Sequence, residues 1–96
     1  MAEGEQDFEA LFERFRDFSR RTYHGAGPAD YLVKLREEVG ELERHTCLEE
    51  LADCMLVLVG LSRFLEGDLK AVLRGKIALN ESRRWERQPD GSYHHV

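Results

Sequence analysis

The stretch LREEVGELERHTCLEELAD, residues 35–53, decides the fold of this chain and concentrates its chemistry. It holds seven carboxylates, and apolar residues recur between them at the three- and four-residue steps of a helix. The acids form two groups, a Glu-Glu-x-x-Glu group of Glu37, Glu38 and Glu41 and a Glu-x-x-Asp group of Glu50 and Asp53. The stretch therefore predicts two consecutive helices that carry either a solvated acidic face or a metal site.

Length and charge limit the possible functions. A chain of 96 residues, 42% hydrophobic and 34% charged with two prolines, is expected to form a single helical domain over residues 1–96. Its net charge of -5 argues against binding a nucleic acid polymer. Residues 23–66 carry a net charge of -5, whereas residues 67–96 carry +2. Such a distribution suits a site that holds divalent cations together with a polyanion.

The hydrophobic periodicity predicts an all-α subunit of four helices without strands. The predicted helices span residues 5–23, 29–44, 47–65 and 69–87. Segments 1–4 and 90–96 are expected to be flexible.

Several residues are typical of helix ends. Pro28 suits an early position of the second helix, because its missing N–H has no partner to lose there. Thr46 followed by Glu49 matches a capping box at the start of the third helix, so Glu49 is left out of the site. Gly67 is expected to stop that helix and Asp68 to cap the fourth.

Two apolar surfaces need partners. The first helix carries an aromatic stripe, which could stack on a base but at helical spacing is more typical of a core: Phe8, Leu11, Phe12, Phe15 and Phe18. Beyond Glu50 the third helix is apolar nearly all round. It should therefore be central, or face both its own core and another subunit, and we expect a homodimer or homotetramer.

The compartment is predicted from apolar runs and cysteines. Residues 1–7 lack an apolar signal segment, and the most apolar run, 48–65, is interrupted by charges, so no membrane span is expected. Cys47 and Cys54 would lie roughly 10 Å apart along one helix, too far for a disulfide, and have no partners for a zinc site. A cytoplasmic protein is expected.

The two acidic groups can be combined into one site. Crossing helices that carry Glu38 and Glu41 on one and Glu50 and Asp53 on the other would place four oxygen donors around a small volume. Like charges at contact distance raise one another's pKa, so four ionised acids need cations. Mg²⁺ suits such a site because it prefers carboxylate oxygens and takes further ligands from phosphates.

Polar residues of the fourth helix complete the hypothesis. Lys76 and Asn80 occupy two positions of its apolar stripe and Arg83 follows, so the three could grip a polyphosphate. The alternatives are that Lys76 extends out of the stripe to solvent and that Asn80 bonds a backbone carbonyl. His94 and His95 lie in the terminal tail, where a ligand role is not favoured.

These residues resemble a known family. EEVGEL (37–42) followed by ELAD (50–53) is similar to the Glu-Glu-x-x-Glu and Glu-x-x-Asp motifs of the MazG-like, all-α nucleoside triphosphate pyrophosphohydrolases. The ending, KIALNESRRW (76–85) with a final His-Val, is similar to small bacterial and phage members described as dATP/dGTP pyrophosphohydrolases. The resemblance covers roughly residues 31–96 and implies a MazG-like helical bundle assembled as an oligomer.

The resemblance also implies an activity and a set of roles. The reaction would be Mg²⁺-dependent attack of water at the α-phosphorus of a nucleoside triphosphate, with Mn²⁺ able to substitute, giving monophosphate and pyrophosphate. The implied metal ligands are Glu38, Glu41, Glu50 and Asp53, the catalytic acids are Glu37, Glu38 and Glu41, and the triphosphate contacts are Lys76, Asn80 and Arg83. The alternative is a non-catalytic helical module that binds nucleotide or metal, or acts as a scaffold.

One spacing departs from the family. Only eight residues separate Glu41 from Glu50, fewer than is usual. That spacing predicts either a tight hairpin between the two acidic groups or a meeting across a subunit boundary.

Overall fold

The structure is a computed structural model that describes residues 7–96. Its elements, in chain order, are α1 (Phe8–Thr22), α2 (Pro28–Arg44), α3 (Leu48–Ser62), α4 (Leu69–Ser82), β1 (Trp85–Arg87) and β2 (Tyr93–His95). The predicted four helices are confirmed, and the prediction of no strands is wrong. The chain divides into two compact units, Met1–Glu66 and Gly67–Val96.

The first helix begins at a side-chain cap. The Asp7 carboxylate accepts the backbone N–H of Ala10 at 2.8 Å, and α1 continues to Thr22. The predicted start of this helix at residue 5 and the predicted flexibility of residues 1–4 lie outside the described residues. Within the aromatic stripe Phe12 and Phe15 are half-buried, whereas Phe8 is 70% exposed, so the stripe is core only in part.

The second and third helices form a hairpin that is the most extensive helix pair of the first unit. Pro28 is at the first position of α2, as predicted. The predicted capping box at Thr46 is wrong, because its hydroxyl donates to the Leu42 carbonyl at 2.9 Å and finishes α2 instead. Cys47, in extended conformation, occupies the N-cap position of α3 without a side-chain hydrogen bond. A short joint of three residues, 45–47, thus separates the two helices, consistent with the predicted tight hairpin.

A buried contact fixes the three helices of this unit against one another. The hydroxyls of Ser19 and Tyr31 hydrogen-bond to each other, and both side chains are buried. Gly60 of α3 lies against the same ring, where an added Cβ would be 2.5 Å from the Tyr31 Cε2 atom. Tyr31 also meets Phe64 edge-on, with ring centroids 5.6 Å apart. This contact holds the Tyr31 ring in one orientation, which matters because the ring also lines a cavity.

The second unit begins as predicted and ends differently. Gly67 has a φ of +113°, and the Asp68 carboxylate caps α4 by accepting the Lys70 N–H at 3.0 Å. The helix ends at Ser82 rather than at residue 87, because Arg83 is already extended. The Trp85 indole N–H then donates to the Asn80 carbonyl at 2.8 Å, which folds the chain back over the helix end.

The last residues form an antiparallel hairpin. β1 pairs with β2 in the register Trp85 to His95, and the two rings meet edge-on at 5.9 Å. Asp90 organises the turn by accepting the backbone N–H of Ser92 at 2.9 Å and its hydroxyl at 2.6 Å. Gly91 supplies a φ of +90°. The sequence did not predict this hairpin, because strands of three residues are too short to show the alternation that identifies a strand.

None of the helices in residues 7–96 combines the length and apolar character needed to cross a membrane.

Candidate metal centre and adjoining cavity

Three of the predicted metal ligands come together between α2 and α3. Glu38, Glu50 and Asp53 each offer a carboxylate oxygen, and these oxygens all lie within 4.8 Å of one another. Glu50 and Asp53 project together because they are three residues apart on α3. The Glu38 side chain, on α2, is only 13% exposed. The hairpin thus brings two separate sequence motifs to one acidic cluster.

The other two acids of the first motif point elsewhere. The Glu41 side chain is 53% exposed and pairs with Arg44, whose Nη2 atom is 3.0 Å from its Oε1 atom. The Glu37 side chain is 61% exposed and pairs with Lys34 at 3.4 Å. Glu41 therefore lies outside the cluster in this structure, although it is one helical turn from Glu38.

A lysine that the sequence analysis did not single out neutralises part of the cluster. The Lys34 Nζ atom lies 3.2 Å from Glu38 Oε1 and 3.4 Å from Glu37 Oε2. Hydrogen bonds first to Glu38 and then to Glu37 raise the pKa of Lys34 above its usual value. The sequence contained the information needed to predict these contacts, since Lys34 precedes Glu38 by four residues and Glu37 by three, the spacings at which helical side chains meet.

The thiol of Cys54 is placed beside the same acids. The residue is buried, and burial raises the pKa of its thiol, with further contributions from the charges of Glu38, Asp53 and Glu50. The group of candidate ligands that lie together comprises Glu38, Glu50 and Asp53 and does not include the Cys54 thiol. The donor set of the centre is therefore made of carboxylate oxygens.

A cavity of about 520 Å³ adjoins the acidic cluster within the first unit. Glu38 and Asp53 line it together with Lys34. Its walls are largely apolar and aromatic, formed by residues of α1, α2 and α3 and the α1–α2 connection that include Phe15, Tyr23, Tyr31, Leu56 and Val57. Cavities of this kind, apolar with a few convergent polar groups, are typical of small-molecule sites.

Asp30 also lines this cavity and was missed by the sequence analysis. Its Oδ2 atom accepts the Gly27 N–H at 2.8 Å, which reinforces the start of α2. Helical spacing could have found it, because Asp30, Lys34 and Glu38 follow one another at four-residue steps along one face.

The predicted phosphate-binding residues belong to the second unit. Lys76 is exposed on α4, and Arg83 follows the end of that helix and is half-buried. The Arg83 guanidinium donates to the Asn80 side-chain oxygen at 3.4 Å, so these two predicted residues contact each other.

The two terminal histidines are engaged in the hairpin. His95 meets Trp85, and the His94 Nε2 atom lies 3.3 Å from the Ser92 hydroxyl. Over residues 7–96, the candidate metal-ligating groups comprise Glu38, Glu50 and Asp53, without either histidine.

Comparison with known proteins identifies relatives of the chain. No family model matches the chain. A protein of Salmonella phage PMBT28 named dATP/dGTP diphosphohydrolase is 31% identical over 92 residues, which cover 94% of this chain and 31% of that protein. A dATP/dGTP diphosphohydrolase of Cyanophage S-2L is 34% identical over 73 residues, covering 72% of this chain and 69% of that protein. The chain thus spans about a third of the length of the first relative and over two thirds of the second.

A solved structure extends the similarity to nearly the whole fold. It is the Cyanophage S-2L MazG-like pyrophosphohydrolase bound to dGDP and three catalytic Mn²⁺ ions per active site. The match has a TM-score of 0.82 at 25% identity and covers 97% of this chain and 96% of that one. Fold and site define a mostly helical protein of four helices with a carboxylate cluster between two adjoining helices. By its similarity to these relatives, the chain belongs to the MazG-like pyrophosphohydrolase family.

Proposed function

We propose that this protein is a divalent-metal-dependent pyrophosphohydrolase of deoxynucleoside triphosphates. The observation that carries the proposal is the acidic cluster of Glu38, Glu50 and Asp53, of which Glu38 and Asp53 line a cavity of about 520 Å³. The names of the relatives, dATP/dGTP diphosphohydrolases, support purine deoxynucleotides as substrates. They give no support to the alternative of a non-catalytic module.

The donor set fits Mg²⁺ or Mn²⁺. Both ions are matched by clustered carboxylate oxygens, and three ionised acids with oxygens this close repel one another unless a cation lies among them. We assign Glu38, Glu50 and Asp53 as ligands, and Glu41 as a fourth that would leave Arg44 to join them. When bound, such ions lower the pKa of a water and offset charge on the phosphoryl group.

The chain's own residues then have defined roles. In the reaction a P–O bond forms between water and the α-phosphorus, and the bond from that phosphorus to the bridging oxygen breaks, releasing pyrophosphate. The carboxylates of Glu37, Glu38 and Glu41 supply acceptors for the proton that the water loses. Lys76, Asn80 and Arg83 are proposed to contact the triphosphate, which their charge and hydrogen-bonding groups suit.

Pyrophosphate release across the canonical deoxy- and ribonucleotides, with Mg²⁺ or Mn²⁺, tests the function. We expect turnover of purine deoxynucleoside triphosphates and a loss of about a hundredfold or more in Glu41→Gln, Glu50→Gln and Asp53→Asn. Glu43→Gln is the control, because Glu43 is an exposed acid of the same hairpin outside the cluster. If no nucleotide is hydrolysed by the wild type, the function is wrong.

A thermal melt tests the metal site without turnover. Mg²⁺ or Mn²⁺ should raise the melting temperature of the wild type, because a ligand that binds the folded state stabilises it. Asp53→Asn should lose this shift, and Glu43→Gln should keep it. An equal shift in all three proteins contradicts the assignment.

We also propose a homodimer or homotetramer. Leu48, Leu51, Met55 and Leu58 form an exposed apolar stripe on α3 with the alternating three- and four-residue spacing of a helix-packing seam. At 100° per residue, the stripe is centred about 150° around the helix from Glu50 and Asp53. A second copy could therefore cover the stripe without covering the acidic cluster. The proposed location is the cytoplasm, where nucleoside triphosphates are found.

A further inference from the structure

The cavity extends along α2 from the acidic cluster to the start of the helix. Glu38 lines it at one position and Asp30 at another, eight residues earlier, which is roughly 12 Å along the helix axis. Lys34 lines the cavity between them. A nucleotide with its phosphates at Glu38 and Asp53 would therefore extend its base toward Asp30.

The cavity that Asp30 lines suits a flat aromatic ligand. Tyr23, Tyr31 and Phe15 line the same cavity, and aromatic side chains provide surfaces on which any base can stack. The Tyr31 ring is held by its hydrogen bond to Ser19 and by its contact with Gly60. Stacking alone is tolerant of sequence, so discrimination between bases needs a polar group at the base edge.

Asp30 offers that polar group, and its carboxylate selects for ligands that donate hydrogen bonds. An ionised carboxylate only accepts hydrogen bonds and has about four acceptor positions. The Gly27 N–H takes one on Oδ2, at 2.8 Å, which leaves acceptor capacity for a ligand. Among the residues that line the cavity, Asp30 is the acid outside the metal cluster.

Guanine and adenine present different edges to a carboxylate. Guanine offers two adjacent donors, N1–H and the N2 amino group, which together match the two oxygens of an acid. Adenine offers its N6 amino group beside the N1 lone pair, which a carboxylate oxygen repels. A site built to accept hydrogen bonds from a ligand discriminates strongly against an analogue that lacks the donor.

We propose that Asp30 reads the Watson–Crick edge of a bound guanine and gives the site a preference for guanine over adenine deoxynucleotides. This inference rests on the proposed function, because it takes the cavity as the nucleoside end of the active site. It deepens that function by naming the residue that determines base selectivity.

The test compares kcat/KM for dGTP and dATP in the wild type and in Asp30→Asn. Asparagine keeps an oxygen for the Gly27 N–H, but its amide places a donor where the carboxylate had an acceptor. We expect the dGTP to dATP ratio to fall about 10- to 100-fold, the size expected for losing a hydrogen bond to a charged group. In the wild type dITP, which lacks the N2 amino group, should be a poorer substrate than dGTP.

Asp7→Asn is the matched control. Asp7 also caps a helix start, accepting the Ala10 N–H at 2.8 Å, but it does not line the cavity. Its substitution should leave the dGTP to dATP ratio unchanged. If Asp30→Asn leaves the ratio unchanged, or Asp7→Asn changes it equally, Asp30 does not determine selectivity. If Asp30→Asn fails to fold, Asp30→Ser replaces it, because the serine hydroxyl can still accept the Gly27 N–H.

A binding measurement tests the role of Asp30 separately from the proposed hydrolytic function. Calorimetry with dGDP and dADP in the presence of Mn²⁺ measures base preference without turnover. If the wild type binds dGDP more tightly and Asp30→Asn removes the difference, Asp30 is a base reader even if no triphosphate is hydrolysed. If hydrolysis is observed while both diphosphates bind equally in wild type and variant, the proposed function stands and the role of Asp30 is overturned.

Discussion

At the scale of single residues, the acidic cluster could be predicted and its cationic neighbour was overlooked. The motifs predicted one site of Glu38, Glu41, Glu50 and Asp53, and the structure brings three of these acids together, namely Glu38, Glu50 and Asp53. Spacing could not predict the orientation of the Glu41 side chain, because this side chain can point either toward the acidic cluster or toward Arg44. In the structure it pairs with Arg44. Lys34 lies one helical turn before Glu38, at the spacing at which helical side chains meet, so its contact with Glu38 could be predicted from the sequence.

Lys34 should compete with a metal ion for Glu38. Its Nζ atom lies 3.2 Å from the Oε1 atom of that residue, so metal binding has to displace or share this contact. We expect Lys34→Met to tighten Mn²⁺ binding by up to about fivefold, the range of exposed ion pairs, measured by calorimetry or electron paramagnetic resonance. Arg36→Met, which removes an exposed cation from the same helix, should have a smaller effect. Weaker Mn²⁺ binding in Lys34→Met contradicts this competition.

At the scale of elements, helices were predictable and short strands were not. Apolar periodicity sustained over 14 to 17 residues identifies a helix, whereas β1 and β2 have three residues each and are exposed throughout. The end of α4 was misplaced for the same reason, because helix-compatible residues continue past Ser82. Arg83 is extended and the Trp85 indole donates to the Asn80 carbonyl five residues earlier, a contact that apolar periodicity does not predict.

Two glycine substitutions should have opposite effects on stability. Gly60→Ala would place a Cβ 2.5 Å from the Tyr31 ring, so we expect a loss of about 1–3 kcal/mol in the free energy of unfolding. Gly75→Ala lies within α4 with nothing within 4 Å of the added atom. It should raise the free energy of unfolding by about 0.5–1 kcal/mol, because alanine has less chain entropy to lose. Urea unfolding followed by circular dichroism measures both, and equal values would contradict the packing described for Tyr31.

The terminal hairpin should loosen in acid. Hydrogen bonds first from the Ser92 hydroxyl and then from its backbone N–H lower the pKa of Asp90 below its usual 3.8. Because the folded-state pKa is lowered, the stabilisation is present above the usual pKa and is lost as the pH falls through the folded value. The fluorescence of Trp85, the one tryptophan, should report this change.

Ser92→Ala provides the comparison for that titration. It removes the larger of the two hydrogen bonds, so the midpoint of the Trp85 fluorescence change should move up toward the usual pKa of an aspartate. Asp90→Asn should abolish the acid transition. An unchanged midpoint in Ser92→Ala would show that Asp90 does not control the hairpin.

At the scale of the whole molecule, the sequence predicted that the third helix is central or faces both its own core and another subunit. The prediction came from α3, which is apolar nearly all round, and the structure leaves Leu48 78% and Leu58 49% exposed on that helix. Which part of the apolar surface stays open could not be predicted, because periodicity does not distinguish a face covered by the same chain from one covered by another copy. Exposed apolar stripes of this kind are typical of association surfaces.

Association through the α3 stripe should be sensitive to a single charge. We expect the wild type to sediment as a dimer or tetramer at micromolar concentration and Leu51→Arg to sediment as a monomer, because the substitution buries an unpaired charge in the centre of the seam. Glu49→Arg is the control, since this exposed residue of the same helix lies well away from the stripe. Its state of association should match the wild type. A monomeric wild type, or dissociation in both variants, would show that the α3 stripe is not the contact between copies. If Leu51→Arg is monomeric yet still shows the Mn²⁺-dependent rise in melting temperature, the acidic cluster of Glu38, Glu50 and Asp53 is complete within one copy.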